Sequence, residues 1–151
     1  MWTSAIVAYL HYLSFGLILA SLAVENRFFK KDLSVREAWT VLIADGVYGT
    51  AGTLVLITGL LRVFYFAKDP SFYSQNPVFW VKISIFFIVG LLSLYPTISY
   101  VLWIGGLQQN TPPEISEFRA NAIANLIKVE IVGFAAIPLF ASLMARGIGL
   151  G

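Results

Sequence analysis

The residues of this chain that could do chemistry are few, and each interrupts an apolar run. His11, Asp45, Lys82, Lys128 and Glu130 are ionisable side chains set among stretches rich in Leu, Ile, Val, Phe and Ala. If those stretches cross a bilayer, an ionised group at mid-depth costs roughly 2.5–3.5 kcal/mol, so each is expected to face inward and find a partner. With about 1.5 Å of rise per residue, Asp45 and Lys128 reach a similar depth from one side, and Lys82 and Glu130 lie toward the other. Two ion pairs are therefore expected, Asp45 with Lys128 and Lys82 with Glu130. Static pairs that fix helix register are the plain alternative to functional ones. His11 is the single histidine; it is either a hydrogen-bonded structural residue, a metal or cofactor ligand, or a proton carrier. Lys82 can also snorkel to the near surface with no further role. His11, Lys82 and Asp45 are the candidate catalytic groups.

The elements that must position them follow from hydropathy. Of 151 residues, 58% are hydrophobic and 12% charged, about half the charge of an ordinary soluble domain. Four stretches are long and apolar enough to span a bilayer, at about 2–24, 38–61, 77–107 and 120–145. Short connections of 25–37, 62–76 and 108–119 place consecutive helices side by side. The expected fold is an all-α membrane protein, a single antiparallel bundle of four transmembrane helices. The first stretch lacks a basic leader and its apolar run is too long for a signal peptide, so it reads as a retained helix. Asn76-Pro77 marks the start of the third helix, and Pro96 and Pro138 should kink the spans that hold them.

Charge sets the expected orientation. Arg27, Lys30, Lys31, Arg36 and Arg119 flank one side, and Arg62, Lys68 and Arg146 the other. The richer side is expected to be cytoplasmic, which puts both termini outward in a bacterial inner membrane. The aromatic loop from Phe64 to Trp80 fits an interfacial belt. A net charge of +2 with no basic run gives no nucleic-acid footprint. The absence of cysteine excludes disulfides, thiolate metal sites and cysteine nucleophiles. No hydrolase triad, phosphate loop or zinc motif is present.

At 100° per residue, His11, Ser14, Ile18, Leu22 and Glu25 share one face of the first helix. Asp45, Gly49, Gly52, Leu56 and Gly59 form a stripe on the second, which reads as a packing seam of small residues. On the fourth, Asn121, Asn125 and Lys128 form one polar stripe and Glu130 points the other way. Such a helix is either central or has a second partner.

The motifs carry two resemblances. His11-Tyr-Leu-Ser-Phe-Gly16, Glu25 with Arg27, Asp45-Gly-Val-Tyr-Gly49, Gly59 with Arg62, and Asn76-Pro-Val-Phe-Trp80 with Lys82 resemble a bacterial family of small predicted membrane proteins of unknown function. Ser93, Pro96-Thr97 and the ending Met144-Ala-Arg-Gly147 extend that resemblance along nearly the whole chain. More distantly, the layout is similar to the HemJ-type protoporphyrinogen oxidases. The shared positions are His11 in helix one, Arg27 at its far end, Trp80 with Lys82 opening helix three, and Arg119 with Asn121 opening helix four. Ala122 stands where those proteins carry a glutamate, and the additional histidines usual in them are missing.

The second resemblance implies a haem b cofactor, with His11 as the metal ligand and Arg62 and Lys82 pairing with its propionates. Met144, a tyrosine or an open position would complete the iron's axial set, or a second chain would supply its own His11. The favoured function is therefore a haem- or quinone-linked redox protein; the alternatives are a proton-relay or transport protein using Asp45, Lys128 and Glu130, and a non-catalytic subunit that docks a homo-oligomer or larger membrane complex through helix four. The lipid bilayer is the one partner common to all three.

Overall fold

The computed structural model describes residues 1–67 and 69–149. Lys68, counted above for topology, lies outside the described residues. The described residues form six helices: α1 (Trp2–Phe28), α2 (Val35–Phe64), α3 (Pro70–Ser74), α4 (Pro77–Leu92), α5 (Leu94–Gln108) and α6 (Glu117–Ala145). α4 and α5 together form one apolar rod, so four helical segments are long and apolar enough to cross a membrane. Each segment extends to or past the apolar stretch read from hydropathy, and polar side chains cap the starts of α2, α4 and α6.

Those caps are local and legible. Ser34 accepts a hydrogen bond from Glu37 N while the Glu37 side chain accepts from Ser34 N, a reciprocal capping box that starts α2. Asn76 Oδ1 accepts from Val78 N at 2.9 Å, with Pro77 in the first turn of α4. Ser116 caps α6 through Arg119 N. Ile148 and Gly149 lie against the start of α4, with Asn76 Nδ2 donating to the Ile148 carbonyl at 3.5 Å. There Gly149, at φ +96°, lies so close to Asn76 Oδ1 that a Cβ would approach it to 2.6 Å.

Packing makes α1 and α2 one intimate pair and α4 and α6 another, joined by α1 against α6 and α5 against α2. Early residues of α1 meet late residues of α2: His11 meets Thr58, and Tyr12 meets Arg62. The third span changes neighbour midway. Its first half, α4, packs on α6, and its second half, α5, packs on α2. The switch falls at Ser93, one turn before Pro96, where the proline ring cannot continue the hydrogen-bond ladder.

The centre is apolar and aromatic. Ile18, Leu22, Tyr48, Ala51, Val55, Val89, Phe134 and Ile137 form one buried cluster. The Phe134 ring meets Phe15, Tyr48 and Phe86 edge-on, with centroids 6.3, 5.9 and 5.9 Å away.

The glycine stripe on helix two needs correction. The inward face of α2 is Ala38, Val41, Ala44, Asp45, Tyr48, Ala51, Val55 and Thr58, turned from the expected stripe after Asp45. A Cβ at Gly49 or Gly52 would meet nothing within 4 Å. Within the stripe only Gly59 meets a partner, His11 Cε1 at 3.3 Å from a Cβ built there, and the tightest approach lies elsewhere, at Gly133 of α6, where a Cβ would stand 2.6 Å from Val89 Cγ2.

Candidate functional site

Two polar clusters lie in the bundle, separated by the aromatic centre. The first is acidic. α1 brings Glu25, α2 brings Asp45 and α6 brings Glu130 to the interior, at 1%, 8% and 1% exposure. Counted from the helix ends at the 29–34 and 109–116 connections, Glu25 lies about 5 Å deep, Asp45 about 15 Å and Glu130 about 20 Å. The three form a ladder into the membrane rather than a single knot. They are close enough for the charges of Asp45 and Glu130 to act on Glu25, and that of Asp45 on Glu130.

Hydroxyls line this ladder. Tyr100, fully buried, donates to Glu25 Oε2 at 3.3 Å. Thr97 donates to Asp45 Oδ1 at 2.9 Å. Tyr48 stands beside Ser93, and its ring forms part of the aromatic centre above Glu130. The bend at Ser93 and Pro96 is what aims Thr97 and Tyr100 at α2 and α1. Glu25 Oε1 and Glu130 Oε1 are buried with no hydrogen-bond partner.

The expected ion pairs do not form. Lys128 points out of the bundle while Glu130, two residues on and about 200° around the helix, points in. Asp45 is engaged by Thr97 instead. Lys82 lies with its Nζ 5.3 Å from the Phe79 ring centre, not against Glu130. Among the described residues, the one ion pair within 4 Å is Lys30 with Glu37, on the surface at 2.8 Å. Asn121, Asn125 and Lys128 form the polar stripe expected of them, and it is exposed on the outside of α6. A helix with polar groups on both faces has put its acid inside and its base outside.

The second cluster is basic and lies toward the chain termini. His11 of α1 is half-buried, about 14 Å from the start of its helix. Its Nδ1 is 2.9 Å from Thr58 Oγ1. The Thr58 hydroxyl already donates its one proton to the Leu54 carbonyl, so it accepts from His11 and the imidazole proton sits on Nδ1. Gly59 gives the ring room, since a Cβ there would lie 3.3 Å from His11 Cε1. The charges of Arg62 and Lys82 both act on His11. The structure thus brings His11, Arg62 and Lys82 into one neighbourhood and leaves Asp45 in the other.

The sequence reading missed Glu25 as a buried acid, treating it as the end of a span. Its signal was visible, since it closes the His11, Ser14, Ile18 and Leu22 face, all of which turn inward. The roles of Tyr100 and Thr97 had no such signal, because they depend on how the third span bends.

The acids do not converge as a metal site: among the described residues no group of three or more His, Asp or Glu side chains could hold a metal ion. No curated protein and no solved structure matches the chain. The family described as predicted membrane protein (DUF2214) matches residues 3–149. With four membrane-length helices and a match along nearly its whole length, the chain belongs to the DUF2214 family of predicted membrane proteins.

Proposed function

We propose that this protein handles protons inside the membrane, with Glu25, Asp45 and Glu130 as successive proton-carrying groups. The observation that carries this reading is the state of Glu25 and Glu130. Each is 1% exposed, and each keeps a carboxylate oxygen with no partner. An ionised carboxylate left so in a low-dielectric bundle is heavily penalised. No basic nitrogen lies within 4 Å of any of the three acids among the described residues, and they do not gather around a metal position. A proton is the neutralising charge that remains.

A proton held on one of these carboxyls can pass to the next through bridging water, since the rungs are separated by about 5–10 Å in depth. Each transfer makes one carboxyl neutral and its donor anionic, so charge is conserved at every step. The Tyr100 and Thr97 hydroxyls are placed to orient the receiving oxygens. The aromatic centre around Phe134 then acts as the barrier between the ladder and the far side.

The test is proton flux into liposomes holding the purified protein, driven by a potassium diffusion potential and read with an enclosed pH dye. Flux above that of empty liposomes is expected, together with its loss in Glu130→Gln. Wild-type liposomes as tight as empty ones, with no infrared band of protonated carboxyls at neutral pH, would overturn the reading.

A haem- or quinone-linked redox role is a second reading, and the tautomer of His11 favours it. With the proton held on Nδ1 by Thr58, the Nε2 lone pair is the one presented for ligation. Arg62 and Lys82 stand in the same neighbourhood, able to hold carboxylates of a bound haem. Haem would supply one-electron chemistry, and the residues here would ligate and orient it. Visible spectra of the wild type and His11→Ala, each with a melting curve, decide it. A colourless wild type from haem-replete cells ends the haem reading. The exposed Asn121, Asn125 and Lys128 stripe supports a docking role for α6 as the alternative to both.

A further inference from the structure

The basic cluster near the termini has a feature that the proton-handling reading does not use. Arg62 and Lys82 are both half-buried, on α2 and α4, and the charge of Arg62 acts on Lys82. Two like charges have been brought together at the edge of an apolar bundle. Neither has an acidic group within 4 Å among the described residues.

What holds them is aromatic. The Arg62 guanidinium donates to Tyr12 Oη at 3.2 Å, and its carbon lies 5.0 Å from the Tyr12 ring centre. Lys82 Nζ lies over Phe79. Such contacts orient a cation without neutralising it. The donors that remain on both head groups are available to an anion.

α4 packs on α6 and not on α2, because the third span crosses to α2 only after Ser93. In the terminal half of the bundle α2 and α4 do not pack directly on each other; the short helix α3 touches both, and Arg62 and Lys82 stand on the two sides. Depth selects the ligand. Arg62 lies about 3 Å from the end of α2 and Lys82 about 8 Å from the start of α4, the level of lipid head groups rather than acyl chains. Exposed Phe64, Tyr65 and Trp80 surround this level, as residues of an interfacial belt do.

We propose that Arg62 and Lys82, with Tyr12, form a binding site for a phosphate diester, and that its natural occupant is the head group of an anionic phospholipid lodged between α2 and α4. A planar guanidinium and a point-charge ammonium on the two sides suit a phosphate carrying net charge. A zwitterionic lipid would bring its own cation into a site that already holds two. The site stands independently of the proton-handling reading, since the acidic ladder is not needed to form it, and it is an alternative to the redox reading, which places haem carboxylates on the same two residues.

The experiment uses the whole protein, delipidated in a neutral detergent, with melting temperature as the readout. Phosphatidylglycerol is expected to raise the melting temperature, and phosphatidylcholine at equal concentration to leave it unchanged. The increment should disappear in the double variant Arg62→Gln with Lys82→Gln and persist in Lys30→Gln with Lys31→Gln, which removes two positive charges at the other end. Native mass spectrometry should show retained phosphatidylglycerol on the wild type. Equal stabilisation by both lipids would overturn the proposal, whether or not the double variant folds. Stabilisation by inorganic phosphate that blocks the phosphatidylglycerol increment would make this a free-phosphate site and overturn its assignment to lipid.

Discussion

The Tyr100 hydroxyl of α5 donates to Glu25 of α1 at 3.3 Å, and among the described residues it is the one hydrogen bond made to that buried carboxyl side chain. Both residues are almost wholly enclosed. Tyr100→Phe should therefore leave Glu25 without a partner and cost about 1–3 kcal/mol. If Glu25 carries a proton, Glu25→Gln should melt close to the wild type while Glu25→Ala melts well below it. Thermal unfolding in detergent checks all three. Equal losses in Glu25→Gln and Glu25→Ala would mean that the negative charge itself is needed there.

Asp45 and Thr97 should be energetically coupled. A double-mutant cycle of Asp45→Asn and Thr97→Val is expected to give a coupling of about 0.5–1.5 kcal/mol, the worth of one buried hydrogen bond. The same cycle of Asp45→Asn with Lys128→Met should be additive, because Lys128 lies outside the bundle. Strong coupling in the second cycle and none in the first would restore the ion pair that the sequence suggests.

How much of this was legible depended on range. Helix number and the faces of α1 followed from hydropathy and 3.6-residue periodicity, because a lipid-facing helix must keep its polar groups on one side. Caps such as Ser34 with Glu37 and Asn76 with Pro77 are written within a few residues. The partners of the buried acids were not legible. Charge complementarity alone matched Asp45 with Lys128, but depth does not fix azimuth, and a difference of two residues sends Glu130 in and Lys128 out. The packing seam was misread for a related reason. Glycine count pointed to Gly49, Gly52 and Gly59, of which only Gly59 meets a neighbour, whereas the tightest approach occurs where two helices cross, at Gly133 and Val89, and the crossing point depends on tertiary geometry.

That crossing is testable. Gly133→Ala would place a methyl group 2.6 Å from Val89 Cγ2, and valine is stiff at χ1, so α4 and α6 must move apart. A loss of about 1–3 kcal/mol is expected, with partial recovery in the double variant Gly133→Ala with Val89→Ala. Gly49→Ala and Gly52→Ala should be nearly neutral, since a Cβ at either position meets nothing within 4 Å. Melting curves of the four variants discriminate between the two seams.

Orientation gives the last prediction. Arg27, Lys30, Lys31 and Arg36 lie within one short connection and its helix ends, and Arg119 starts α6 on the same side. Arg62 and Arg146 lie toward the other side, with Lys68 in the connection there. Basic residues near short loops are retained in the cytoplasm during insertion. We therefore expect a cytoplasmic reporter fused after Lys31 or after Gln109 to be active and one fused at Gly151 to be inactive. This orientation would open the acidic ladder toward the cytoplasm through Glu25 and place the Arg62 and Lys82 pair in the outer leaflet. An active reporter at Gly151 would reverse both assignments, putting the basic pair at the inner leaflet and the entrance to the ladder outside.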